Sequence, residues 1–170
     1  MDGAGCPSLA SVASLGYVGP MSHRRFLALA FTTLGLLAVV PADAQVPPPT
    51  RPNVTVPAGA RPTTLQITDI TVGTGAEATE GQTVEVHYVG VAWSTGQTFD
   101  ASWDRHRTFR FRLGQHRVIQ GWERGVAGMH VGGRRQLIIP PSLAYGEHGV
   151  GSVIHPYETL IFVIDLVSVQ

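Results

Sequence analysis

Between Gln82 and Ala92 the chain reads QTVEVHYVGVA, which sets Val84, Val86 and Tyr88 on one side of an extended backbone and Glu85 and His87 on the other. This period of two predicts an antiparallel strand with one face in the core. Leu65 to Val72 (LQITDITV) is rich in β-branched residues and predicts a strand before it, beyond the turn-forming stretch GTGAEATEG. A short segment ends at Phe99-Asp100, and Thr108 to Leu113 (TFRFRL) alternates Phe109, Phe111 and Leu113 with Arg110 and Arg112. Strands are also expected at Arg134 to Ile139 and Thr159 to Val169, joined by a loop of about eighteen residues from Pro140 to Tyr157. A loop that long is uncommon without a function.

The period changes only once. Ile119, Trp122, Val126 and Met129 are spaced by three, four and three, the face of a short helix over about Gln120 to Met129. Gly121, Gly125 and Gly128 lie between them, although glycine costs a helix roughly 1 kcal/mol relative to alanine. One helix among about five strands predicts an α+β fold, a twisted antiparallel sheet wrapped around the helix.

The first third of the 170 residues shows neither period. Met21-Ser-His-Arg-Arg is a positive start, Phe26 to Val40 an uncharged apolar run, and Pro41-Ala-Asp-Ala44 a small-residue cleavage site, which together read as a signal peptide over residues 21–44. The apolar run is short for a membrane span, so the expectation is a periplasmic or secreted product with no stable membrane insertion after cleavage. The competing readings are a buried helix and a membrane anchor. Residues 1–20 carry no basic n-region and are expected to be an extension upstream of the true start at Met21. Residues 45–62 hold six prolines and few bulky apolar groups, a linker with nothing to form a core. The folded domain is then expected over 63–170.

Composition narrows the chemistry. The only cysteine, Cys6, precedes the cleavage site, which excludes disulfides and thiol chemistry from a mature chain. Formal net charge is zero and every basic side chain is Arg, a balance that argues against nucleic acid as the partner. The Arg-rich stretch Arg105 to Arg117 fits a solvated strand face better than a phosphate-binding strip. His87, His106, His116, His130, His148 and His155 fall into no metal-ligand spacing, and no serine sits in a G-x-S-x-G elbow. What remains is a surplus of rings: Tyr88, Phe99, Phe109, Trp122, Tyr145 and Phe162 come from every part of the domain. They make either a plain core or a concave apolar pocket.

The order of the motifs favours the pocket. Val86-His-Tyr-Val-Gly90, Gly96-Gln-Thr-Phe-Asp100, Phe109-Arg-Phe-Arg-Leu-Gly114, Val118-Ile-Gln-Gly-Trp-Glu123, Val131-Gly132, Ile139-Pro140, Ala144-Tyr-Gly146 and Leu160-Ile-Phe162 closely resemble the FKBP-type peptidyl-prolyl cis-trans isomerases, from about Thr64 to Gln170. The resemblance implies an isomerase of X-Pro bonds that needs no cofactor and acts as a monomer on proline-containing polypeptides, with macrolide inhibitors as a second class of ligand. It implies catalytic positions at Tyr88, Asp100, Trp122, Tyr145 and Phe162, and substrate-binding positions at Phe99, Phe109, Val118, Ile119 and Ile154. Trp122 would be the pocket floor, with Gly121 letting the backbone turn sharply so that the indole faces the pocket. Many members carry Ile-Pro-Pro before the last strand where this chain has Ile154-His155-Pro156, and Arg117 stands where an acidic residue or Gln is common. The alternative from another class is a non-catalytic proline-binding or chaperone module using the same pocket; retention of the catalytic set favours the enzyme.

Overall fold

A computed structural model describes residues 49–170. The expected signal peptide, Cys6 and the start of the Pro-rich segment lie outside the described residues. Six strands and one helix follow in order: β1 (Gln66–Thr71), β2 (Thr83–Ala92), β3 (Thr98–Ala101), β4 (Phe109–Arg112), α1 (Gln120–Val126), β5 (Arg134–Ile139) and β6 (Leu160–Val169). The short segment around Phe99-Asp100 is thus a strand in its own right.

All pairings are antiparallel, in the order β1-β5-β6-β2-β3, with β4 also on β2. β2 carries β6 along one edge, from Val84 opposite Val169 to Ala92 opposite Leu160. Its other edge is divided: Thr83 to Val86 pair with β4, and Val89 to Val91 pair with β3. One strand thereby brings together the segments that carry Tyr88, Asp100 and Phe109.

The alternation sorts side chains onto two faces. Val84, Val86 and Tyr88 of β2, Leu137 and Ile139 of β5, and Leu160, Phe162, Ile164 and Leu166 of β6 pack with Trp122, Val126 and Met129 in an inner core. Val89, Val91, Ile138, Ile161 and Val163, the residues of opposite parity, form a second cluster on the outer face. This double burial is why β6 reads as an almost unbroken apolar run.

The outer cluster includes Val54, only 9 % exposed, with Val56 packed against it. The expectation that the Pro-rich segment has nothing to contribute to a core therefore fails for its described part. Arg134 donates from Nη2 to the Thr50 carbonyl at 2.6 Å, holding the segment to β5. The physical reason is that among the described residues no helix covers this face, and a Val-Thr-Val step in extended chain presents two apolar groups on one side.

The helix is shorter than its periodicity suggests, ending at Val126, with Gly128 in a left-handed conformation (φ 77°) just beyond. Its internal glycines serve contact. A Cβ on Gly121 would lie 2.4 Å from Ile139 Cγ2, and one on Gly125 would lie 2.5 Å from Leu137 Cδ1. Spaced by four, the two glycines form one flat stripe against β5. Gly121 is thus required by close approach to the sheet, not by the sharp turn expected from the sequence. Buried Arg135 on β5 fastens the far end: its Nη1 donates to the carbonyls of Gly125 (2.8 Å) and Ala127 (3.2 Å), and its Nε and Nη2 pair with Asp69 of β1. A cation at a helix C-terminus also opposes the macrodipole favourably.

Candidate active site

The seating of α1 on its glycines brings Trp122 under the rings of the sheet. Its indole meets Tyr88 (centroids 5.1 Å), Phe162 (5.2 Å) and Phe109 (6.0 Å) edge to face, and lies tilted against Phe111 at 5.6 Å. Phe99 stands perpendicular to Phe162 at 5.6 Å. Gly90 makes room for that pair, because a Cβ there would be 2.7 Å from both rings. Edge-to-face contacts of this kind add about 0.5–1.5 kcal/mol each beyond area burial.

Trp122 is only 4 % exposed, and its Nε1 is buried without a hydrogen-bond partner. It belongs to the core as much as to any pocket, so the choice between floor and core drawn from the sequence is not a real one. Ile154 is buried in the same core, and Val118 and Ile119 pack partly buried against it. Ile119 is the N-cap of α1, and its carbonyl accepts from Trp122 N–H at 2.9 Å. Among the described residues its own N–H donates to no backbone carbonyl or side chain. Phe109 is 36 % exposed and Tyr145, on the loop before β6, 40 %.

Charge enters at one side of the rings. The Tyr88 hydroxyl donates to Asp100 Oδ2, Arg105 Nη1 donates to Asp100 Oδ1 at 2.5 Å, and Arg105 Nη2 donates to the Tyr88 oxygen at 2.9 Å. Burial, then the hydrogen bond to Asp100, pushes the Tyr88 phenol up to about 12. Burial works to raise the Asp100 pKa, but the hydrogen bonds from Arg105 and Tyr88 outweigh it and hold the carboxyl below its usual range. At neutral pH the group is an ionised Asp100 clamped between a guanidinium and a protonated phenol. Tyr145 is brought near without joining it: burial raises its phenol pKa first, and the Asp100 charge adds to that, while no hydrogen bond or ring pair engages its side chain among the described residues.

Sequence reasoning missed what holds Tyr88. Ser102, fully buried, accepts the Tyr88 N–H on Oγ at 2.8 Å and donates its own N–H to the Tyr88 carbonyl at 3.1 Å. Its Oγ also lies 3.0 Å from His87 Nδ1, and His87 stacks on Trp103 at 4.2 Å. Nothing in the sequence neighbours of this serine marks it as a clasp between β2 and the end of β3. A cavity of about 430 Å³ lined by Ile70, Val131, Arg134, Asp165 and Val167, among others, contains none of the expected site residues.

An apolar nest of rings, with an ion-paired carboxylate at its rim and a backbone N–H that meets no acceptor among the described residues, is suited to hold a compact apolar group beside an amide. The comparisons give that class a family. The pattern of FKBP-type peptidyl-prolyl cis-trans isomerases matches residues 75–167. The FK506-binding protein of Streptomyces anulatus is 58 % identical over 120 residues, covering 70 % of this chain and 97 % of that protein. The peptidyl-prolyl cis-trans isomerase FPR2 of Saccharomyces cerevisiae is 50 % identical over 94 residues, 55 % of this chain and 70 % of that one. The crystal structure of AtFKBP13 superposes with a TM-score of 0.59 at 36 % identity, covering 69 % of this chain and 98 % of that one. The chain belongs to the FKBP-type peptidyl-prolyl isomerase family and is an isomerase of X-Pro bonds.

Proposed function

We propose that the protein accelerates X-Pro isomerisation outside the cytoplasm, during folding of exported polypeptides, by a non-covalent mechanism in the ring-lined site. Turning a peptide bond breaks its resonance against a barrier of about 18–20 kcal/mol, and no bond to carbon need be made or broken. The twisted amide has lost part of its charge separation. Surroundings that remove water from the carbonyl therefore weaken the planar ground state more than the twisted state. Trp122 and Phe162 cradle the proline ring, with Phe99 and Phe109 as walls and Val118 and Ile154 closing the apolar surround. The Ile119 N–H anchors a substrate carbonyl and the Tyr145 hydroxyl donates to another. Asp100 faces the twisting carbonyl, its orientation set by Tyr88 and Arg105.

The observation that carries this reading is the convergence of Tyr88, Phe99, Phe109, Trp122 and Phe162 from β2, β3, β4, α1 and β6 around one point, with the Asp100 clamp beside them. The same apolar site is expected to take macrolides of the kind named for the Streptomyces relative. A proline-switch peptide assay tests the mechanism. Asp100→Ala should slow isomerisation while leaving the unfolding midpoint nearly in place, and an Asp100→Ala protein of full activity would remove Asp100 from the site. Export rests on the residue 21–44 pattern. Intact mass of the product from the periplasm or medium should place its start at or near Gln45, and retention of Phe26 to Val40 would make the segment an anchor.

A further inference from the structure

Among the described residues three charged residues, Arg135, Glu158 and Asp165, are more than nine-tenths buried, and they are not treated alike. Asp165 pairs with Arg134 and Arg135 pairs with Asp69. Glu158, 4 % exposed, has no cation within salt-bridge distance among the described residues. Its carboxylate accepts only from one neutral residue: Ser94 N–H to Oε1 at 3.1 Å and Ser94 O–H to Oε2 at 2.5 Å. A carboxylate offers about four acceptor sites, so roughly half of its capacity is unused. A buried charge answered only by neutral donors is costly unless water or a cation reaches it.

Something can reach it. Glu158 lines a cavity of about 220 Å³ together with Ser94, Gln97, Phe99, Ser152 and His155. The volume suits one side chain and falls short of a separate small-molecule pocket. Its location is the second observation. Phe99 is a wall of this cavity and also stands 5.6 Å from Phe162 in the ring nest. Successive residues of an extended peptide advance by about 3.3–3.6 Å, so a chain with its proline on Phe162 sets a neighbouring side chain beside the far side of Phe99 within one or two residues.

We propose that this cavity is a subsite for a cationic side chain, Lys or Arg, flanking the substrate proline, and that Glu158 is the residue that reads it. The cation supplies the buried carboxylate with the charged partner that the fold withholds, while Ser94 fixes the carboxylate's direction. His155 replaces one proline of the commoner Ile-Pro-Pro and adds a polar ring to the same wall. The inference rests on the ring nest being the proline site.

The test uses matched peptides with Lys, norleucine or Glu at each of the two positions before and after proline, each assayed for isomerisation and for binding by the full chain. At one position Lys should exceed norleucine by about ten-fold in kcat/KM, the order expected of a charge-assisted contact, and Glu should fall below both. Glu158→Gln keeps one acceptor for Ser94 and replaces the other with a donor that the Ser94 hydroxyl oxygen can accept, but loses the charge, so it should bring Lys and norleucine within two-fold. Lys and norleucine equal at all four positions in the wild type would overturn the subsite, as would a Lys preference that survives in a folded Glu158→Gln protein. The wild-type series decides the matter even if the variant does not fold. Turnover of norleucine peptides reports separately on the ring nest: if it is absent throughout, the isomerase reading fails and the binding series alone carries the charge test.

Discussion

The inner face of the sheet is closed by a helix and a nest of rings, the outer face by a stretch of chain without regular structure. Both are buried, but the demands on them differ. Inside, Tyr88, Trp122 and Phe162 are at once core and site, and α1 must sit close enough to β5 to leave no room for a Cβ at two positions. Outside, Val89, Val91, Ile161 and Val163 need only cover, and Val54 supplies part of it from a segment held by a hydrogen bond from Arg134 and an ion pair of Arg51 with Asp104. Function and stability are inseparable on one face and separable on the other.

The sharpest way to break this contrast is Trp122→Ala. Removing a buried aromatic costs about 3–5 kcal/mol, and activity should fall with it. A variant with an unchanged denaturation midpoint and a slow isomerase would show that the indole is only a wall. Gly121→Ala should come next. Alanine favours a helix by roughly 1 kcal/mol over glycine, yet overpacking costs about 1–3 kcal/mol, and the contact with Ile139 puts the balance on the side of loss. A gain in melting temperature would mean that the helix has slack against β5. Val54→Ala, on the other face, should lower stability by about 1 kcal/mol with kcat/KM on short peptides unchanged. Equal stability would reduce residues 49–57 to a spacer.

The smallest effect concerns His87, also on the outer face. Burial lowers its pKa from the usual 6.5, against an opposing pull from the Asp165 charge. Between the folded value and 6.5 the unfolded chain binds more protons than the folded one, so stability is full above 6.5 and declines as pH falls through that interval. His87→Phe should remove that part of the slope in urea titrations between pH 7 and 5, and a slope identical in both proteins would assign it elsewhere.

Much of this was legible in the chain itself. Alternation located the strands, and the series of motifs located the rings that the structure gathers. What stayed hidden has common physical causes. Val54 was lost among prolines because a two-residue apolar step is too short to show a period. Nothing along the chain sets Arg135 apart, since no local pattern reports that the helix ends above it with carbonyls in need of a donor. The glycines of α1 were visible, but their reason lay in Ile139 and Leu137, distant in sequence.

The position of β6 bears on how such a molecule is born. It is the last strand in chain order, yet it lies in the middle of the sheet, between β5 and β2. Until it arrives, β1 with β5 and β2 with β3 and β4 are two fragments that share no ladder, each exposing apolar faces to water. Joining them closes a loop from Val84 to Val169, the kind of distant pairing that folds slowly. A chain still lacking β6 therefore has two separate ladders and no continuous sheet, and the domain can close only once β6 is available to lie between them.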